Sequence, residues 1–204
     1  MGYEPKDAFY RKAKKEGYRS RAAYKLLELN QRFRVIKRGD RVVDLGAAPG
    51  GWLQVAAELA GPRGKVVGVD LQPIAPFRES NLIVLQGDIT SEGCIEKIRE
   101  TLAAPAHCVL SDVSPRLTGI RDADVSRSID LARIAFHATC DLLGSGGNFL
   151  VKIFMSEELG ALSAEIGKKF SSVARTRPEA TRKGSSEIYL CARGYHGKRP
   201  ATNQ

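Results

Sequence analysis

The sequence predicts an α/β protein: a doubly wound, mostly parallel seven-stranded sheet with an antiparallel C-terminal hairpin and a basic helical extension at its N-terminus. Three observations carry this expectation. From position 41 onward, short Val/Leu/Ile runs alternate with helical stretches, the pattern of repeated strand–helix units. The runs are apolar almost throughout, as in strands covered on both faces. The last two runs have no helix between them, so they should pair antiparallel.

The elements follow in order. Residues 7–15 form a short basic helix, and Ser20 is placed to cap a second one, whose apolar stripe is Ala22, Ala23, Leu26, Leu27 and Leu29. RVVDLG (41–46) is the first strand and GWLQVAAELA (51–60) the helix after it. Strands are expected at 65–70, 82–88 and 107–112, with helices over 91–103 and about 126–143. A GSGG turn then leads into the strand NFLVKIF (148–154), followed by a helix over 156–169. SSVARTR and EIYLCARGY close the sheet.

With 204 residues, 43% hydrophobic and 27% charged, the chain can bury one sizeable core and not two. It reads as a single domain over 1–204, made of an extension (1–40), an α/β core (41–195) and a polar tail (196–204). No apolar run approaches the roughly 20 residues of a membrane helix, and the N-terminus lacks the apolar stretch of a secretory signal. A cytoplasmic, monomeric protein without membrane contact is expected. The four cysteines (94, 108, 140, 191) contain no CxxC pair and no ligand spacing with the three histidines, so neither a metal site nor a disulfide framework is expected.

Charge is segregated. Residues 1–41 carry a net +8, residues 175–204 carry +5, and the body between them −4. Basic ends around a mildly acidic body point to a polyanion, nucleic acid first, with an anionic membrane surface as the competitor.

Open parallel sheets bind ligands at the carboxyl ends of their strands. Four consecutive expected strands end in Asp44, Asp70, Asp88 and Asp112, which would line one rim. The first turn, Gly46-Ala47-Ala48-Pro49-Gly50-Gly51-Trp52, lets a ligand approach the backbone closely. It is not the dinucleotide pattern, because Ala48 stands where the second glycine belongs, and no phosphate-loop motif occurs. Asp70 suits ribose hydroxyls and Asp88 an adenine amino group. The crevice therefore fits an adenosine without pyrophosphate, S-adenosylmethionine ahead of NAD. Lys152 interrupts the apolar run 149–154. It is either an edge lysine reaching solvent or a desolvated amine whose lowered pKa suits it to act as a base.

These residues resemble the FtsJ-like (RrmJ-type) RNA ribose 2′-O-methyltransferases over roughly 7–195. The matching segments are Gly17–Leu26, Val43–Trp52, Leu110–Asp112, Phe149–Phe154 and Ser186–Tyr189. The resemblance implies a Rossmann-like S-adenosylmethionine-dependent methyltransferase needing no metal. It is most similar to members acting on a uridine of large-subunit ribosomal RNA, with tRNA anticodon-loop enzymes as the alternative. A catalytically silent RNA-binding module and an NAD-dependent dehydrogenase are more distant alternatives. It also implies a catalytic tetrad at Lys25, Asp112, Lys152 and Glu187, with cofactor contacts at Gly46, Gly50, Gly51, Trp52, Asp70, Asp88 and Asp112. One departure concerns the residue after Pro115, commonly Asn in the family and Arg116 here. RNA contacts are expected from Arg11, Lys12, Lys14, Lys15, Arg19 and Arg21, interleaved with Tyr10, Tyr18 and Tyr24.

Overall fold

The computed structural model describes residues 8–182 and 184–197. Lys183 and most of the expected polar tail (198–204) lie outside the described residues, as do residues 1–7. The elements are α1 (Ala8–Glu16), α2 (Ala23–Phe33), β1 (Arg41–Leu45), α3 (Gly51–Ala60), β2 (Lys65–Asp70), β3 (Leu82–Gln86) and α4 (Glu92–Leu102). They continue as β4 (Ala106–Ser111), α5 (Arg121–Leu142), β5 (Leu143–Phe154), α6 (Leu159–Gly167), β6 (Phe170–Thr176) and β7 (Glu187–Tyr195). Among the described residues, no helix is long and apolar enough to cross a membrane.

The seven strands form one sheet in the order β3-β2-β1-β4-β5-β7-β6. The pairs among β1 to β5 are all parallel, while β7 runs antiparallel to both β5 and β6. The chain travels outward from β1 to β3 and returns on the other side with β4. The reversal lies between β1 and β4, where a doubly wound sheet opens its ligand crevice at the carboxyl edge.

Alternation along each strand divides the core. Val43, Leu45, Val67, Val69, Phe149, Val151 and Ile153 face α4, α5 and α6. Val42, Val66, Leu110, Leu150, Tyr189 and Cys191 face α2 and α3, packed on Leu26, Leu29, Trp52 and Leu53. Because side chains alternate with period two, Asp44 and Lys152 share this second face. α2 is therefore built into the body: it covers the face that carries the two polar residues. Gly68 in β2 leaves room for Leu53 of α3, since a Cβ there would lie 2.5 Å from Leu53 Cδ1.

Several boundaries differ from expectation for local reasons. Ser20 does not cap α2, whose N-terminal flank Ala22 makes no side-chain cap bond. Its hydroxyl lies against Gly51 instead, so close that a Cβ there would meet it at 2.1 Å. Helix α5 starts at Arg121 rather than about 126, because Asp124 gathers the loop before it. That carboxylate accepts bonds from the Thr118 amide (2.8 Å), the Thr118 hydroxyl (2.8 Å) and the Gly119 amide (3.2 Å). Residues 144–147, expected as a turn, run within β5, with a register shift opposite Ala106–Cys108. Asp44 does not end its strand: it is the penultimate residue of β1 and only 1% exposed.

Candidate active site

The turn after β1 is held by backbone and carboxylate together. The Gly46 and Ala47 amides donate to the Val69 carbonyl at 2.8 and 3.0 Å. The Ala48 amide donates to Asp70 Oδ2 at 2.9 Å, and Asp70 Oδ1 accepts from the Gln72 amide at 2.8 Å. Asp70 thus joins the glycine turn to the loop after β2. Gly46 and Gly50 adopt positive φ (74° and 107°), a region costly for other residues. A Cβ on Gly50 would also strike Phe77 Cζ at 2.4 Å.

Arg19 closes this corner. Its guanidinium lies 3.4 Å from the Phe77 ring centroid and donates to the carbonyls of Ala75 (2.7 Å) and Pro76 (2.6 Å). Trp52 is buried: its indole N–H donates to the Ala22 carbonyl at 2.8 Å, and its ring lies 6.0 Å from Tyr189. The side chain props α2 against the sheet. Asp88 is exposed beyond β3, where it accepts from the Thr90 amide (2.9 Å) and hydroxyl (2.7 Å). Those bonds hold its carboxyl below the usual range.

Asp44 sits beneath the turn. Burial, with the charges of Asp112 and Asp70 behind it, raises its pKa well above the ordinary carboxyl value. Its Oδ2 is buried without a hydrogen-bond partner.

The two lysines converge. Lys152, its side chain 3% exposed, donates to the Asp112 carbonyl (2.7 Å) and to the Ser114 hydroxyl, with Asp112 Oδ1 at 3.3 Å. Three oxygens thus face the three donors of an ammonium group. The edge-lysine alternative is excluded, since β5 lies between β4 and β7. Lys25 of α2 donates to Glu187 Oε2 at 2.7 Å, with side chains 9% and 19% exposed. Tyr189 links the pairs: its hydroxyl donates to Asp112 Oδ1 at 2.8 Å, and Lys25 Nζ lies 5.7 Å from its ring centroid. The register explains the assembly. Tyr189 pairs with Lys152 across β5–β7, and Glu187, two residues earlier, shares its face.

Sequence reasoning gave no role to Ser114 or Tyr189. Tyr189 had a signal, because β-alternation from Glu187 places it on the Lys152 face. Ser114 had none.

The basic extension is partly committed to the body. Arg11, Lys14 and Lys15 are exposed on α1. Lys12 lies 4.7 Å from the Tyr24 ring centroid and 4.0 Å from Glu16. Arg21 donates to the Ala180 carbonyl, and Arg19 is spent on carbonyls as described. Tyr24 donates to Glu16 at 2.8 Å, and Tyr18 to Glu58 at 2.9 Å, its hydroxyl pushed up to about 12 by burial and that carboxylate. Tyr10, 42% exposed, is the most open of the three expected tyrosines.

Comparison with known proteins decides the family. A family model described as FtsJ-like methyltransferase matches residues 18–195. The chain belongs to that family. Relatives of this FtsJ-like methyltransferase include a protein named ribosomal RNA large subunit methyltransferase E from Methanothrix thermoacetophila. It is 52% identical over 190 residues, covering 93% of this chain and 73% of the relative. The protein of the same name from Methanococcus aeolicus is 45% identical, with 95% and 72% covered. Among solved structures, a Plasmodium falciparum protein described by sequence as a ribosomal RNA methyltransferase superposes with TM-score 0.80 at 28% identity, covering 89% of this chain and all of that one. Fibrillarin from Aeropyrum pernix, solved with S-adenosyl-L-methionine, shares the fold at TM-score 0.60 and 21% identity, covering 86% and 75%.

Proposed function

We propose that this methyltransferase transfers the methyl group of S-adenosylmethionine to a ribose 2′-hydroxyl of large-subunit ribosomal RNA. The observation that carries the reading is the convergence of Lys152, Asp112, Lys25 and Glu187 on one sheet face beside the glycine turn. The names of the archaeal relatives support ribosomal RNA as the substrate. The crevice suits the donor in charge: S-adenosylmethionine carries a sulfonium and an ammonium, and Asp44, Asp70 and Asp112 lie close enough for the latter two to raise the pKa of Asp44. The partnerless Oδ2 of Asp44 is a polar atom that a bound ligand would engage, while Asp70 and Asp112 answer the cation's charge. Gly46, Gly50 and Gly51 would bring main chain to the ligand, Asp70 and Asp88 would hold its ribose and adenine ends, and Trp52 would support the turn from below. Bound there, the cofactor supplies an electrophilic methyl group on sulfur.

The protein's own part is to align and deprotonate a poorly nucleophilic hydroxyl. The incoming 2′-oxygen takes the place of one of the three acceptors around Lys152 Nζ and receives an N–H from it. The hydroxyl proton passes to the Asp112 carboxylate, while the ammonium stabilises the negative charge growing on oxygen. Lys25 and Glu187, through the Tyr189 ring and hydroxyl, fix where Asp112 points. Lys152 thus acts as an orienting cation. Arg11, Lys12, Lys14 and Lys15 supply the phosphate contacts. The test is incorporation of labelled methyl into ribosomal RNA transcripts by wild type and Lys152→Ala. The variant should lose at least about 100-fold in rate, the low end for removing one donor that stabilises charge in the transition state, while S-adenosylmethionine affinity stays within about threefold. Retained turnover would remove Lys152 from the mechanism, and preferential labelling of tRNA would change the substrate.

A further inference from the structure

The loop between β4 and α5 presents Leu117 and Ile120 to solvent, 69% and 67% exposed, in a segment that also carries exposed Arg116 and Arg121. Large aliphatic side chains displayed this openly on a loose loop would collapse inward, yet this loop is held. Asp124 binds the Thr118 and Gly119 amides, the Ile120 amide donates to Thr118 Oγ1 at 3.3 Å, and Pro115 is buried. The knuckle begins at Ser114, whose hydroxyl accepts from Lys152. Three residues reach at most about 11 Å, so Leu117 stands within that distance of the catalytic amine's partner.

The recess of Lys152 sets a demand on the substrate. An amine this deeply buried is reached only by a ribose that leaves the helical stack, and extrusion leaves the neighbouring base faces uncovered. An apolar surface flanked by arginines at the mouth of the recess answers both needs: aliphatic groups cover a base face, and guanidinium groups meet the phosphates on either side. We propose that Leu117 and Ile120, flanked by Arg116 and Arg121, form a preformed seat for the unpaired nucleotide next to the methylated one, so that the enzyme selects single-stranded or extruded RNA. The inference rests on the RNA ribose reading above and adds the conformational class of the substrate. It also gives a role to Arg116, the position at which this chain departs from the family pattern.

The experiment measures methyl transfer to an in vitro transcript of a large-subunit ribosomal RNA fragment, either free or annealed to a complementary strand across the target. Wild type should prefer the free transcript by roughly tenfold or more, about the value of one base contact. The double variant Leu117→Ser/Ile120→Ser should raise KM for the free transcript roughly tenfold, while the demand for an unpaired target set by the recess of Lys152 remains. Its thermal midpoint and S-adenosylmethionine affinity should remain at wild-type values. Leu117→Trp, offering a larger flat surface, should hold or lower KM. Arg116→Ala/Arg121→Ala should reduce the slope of log affinity against log salt by about 1.4, two single-strand phosphate contacts. Equal KM for wild type and the serine variant overturns the seat alone. No transfer by wild type to any RNA overturns the ribose reading and the seat with it. A serine variant normal on naked transcript but impaired on assembled subunits overturns the seat in favour of a ribosomal protein contact.

Discussion

Lys25 and Glu187 form a nearly buried ion pair, and breaking it should separate stability from activity. At the observed 2.7 Å, opposite charges attract by about 6 kcal/mol at an effective dielectric of about 20. Most of that is offset by the cost of removing both groups from water, a cost that persists when one partner is deleted. Lys25→Met therefore leaves the Glu187 carboxylate stranded and should cost about 3 kcal/mol. Glu187→Met strands the ammonium and should cost a similar amount. The double variant carries neither charge and should return to within about 1 kcal/mol of wild type, a coupling energy of about 5 kcal/mol. Urea unfolding followed by Trp52 fluorescence is the assay, since this sole tryptophan lies 6.0 Å from Tyr189 at the site. Methyl transfer should be lost in all three variants, including the stable double variant. Additive losses in the two single variants, with coupling below about 0.5 kcal/mol, would refute a desolvated pair.

Other outcomes follow from the same geometry. Asp44 has a folded-state pKa raised by burial, Asp112 and Asp70, so the folded protein retains a proton that the unfolded chain releases above about pH 4. Its contribution is fully present below that pH and fades as pH rises toward the folded value. Asp44→Asn should therefore match wild type in thermal midpoint near pH 3.5 and exceed it increasingly toward pH 8; a constant difference across the range would refute the assignment. Lys14→Ala/Lys15→Ala removes two exposed charges from α1 and should lower the salt slope of RNA binding by about 1.4 to 1.8 without changing S-adenosylmethionine affinity. An unchanged slope would take α1 out of the RNA footprint.

The sheet was legible because its strands are near-continuous apolar runs, and Lys152 stood out as a charged residue in the middle of such a run. Its burial between β4 and β7 turns that anomaly into a placed amine. The partners of Lys152 were less legible, since each depends on a register or a fold-back across the sheet. Ser114 meets it over 38 positions, and Tyr189 faces it only once β7 inserts beside β5. Residues expected to touch a ligand also make long-range contacts within the protein. Arg19 spends its donors on carbonyls 56 and 57 positions away, and the Trp52 indole turns inward to Ala22. Ser20 was read as a cap from local sequence, but its hydroxyl packs on the one α3 position small enough to receive it, Gly51. Side-chain type marked the polar centre of the site, whereas long-range contacts decided which neighbouring cations remain open to a ligand.

In the proposed reaction the Lys152–Asp112 cluster acts on a sugar oxygen. Alkaline hydrolysis tests this directly, because a methylated 2′-oxygen cannot attack the adjacent phosphate. A large-subunit ribosomal RNA transcript incubated with the protein and S-adenosylmethionine should give a hydrolysis ladder with a gap at one nucleotide, absent with Lys152→Ala. A complete ladder, with label recovered on a base, would contradict it.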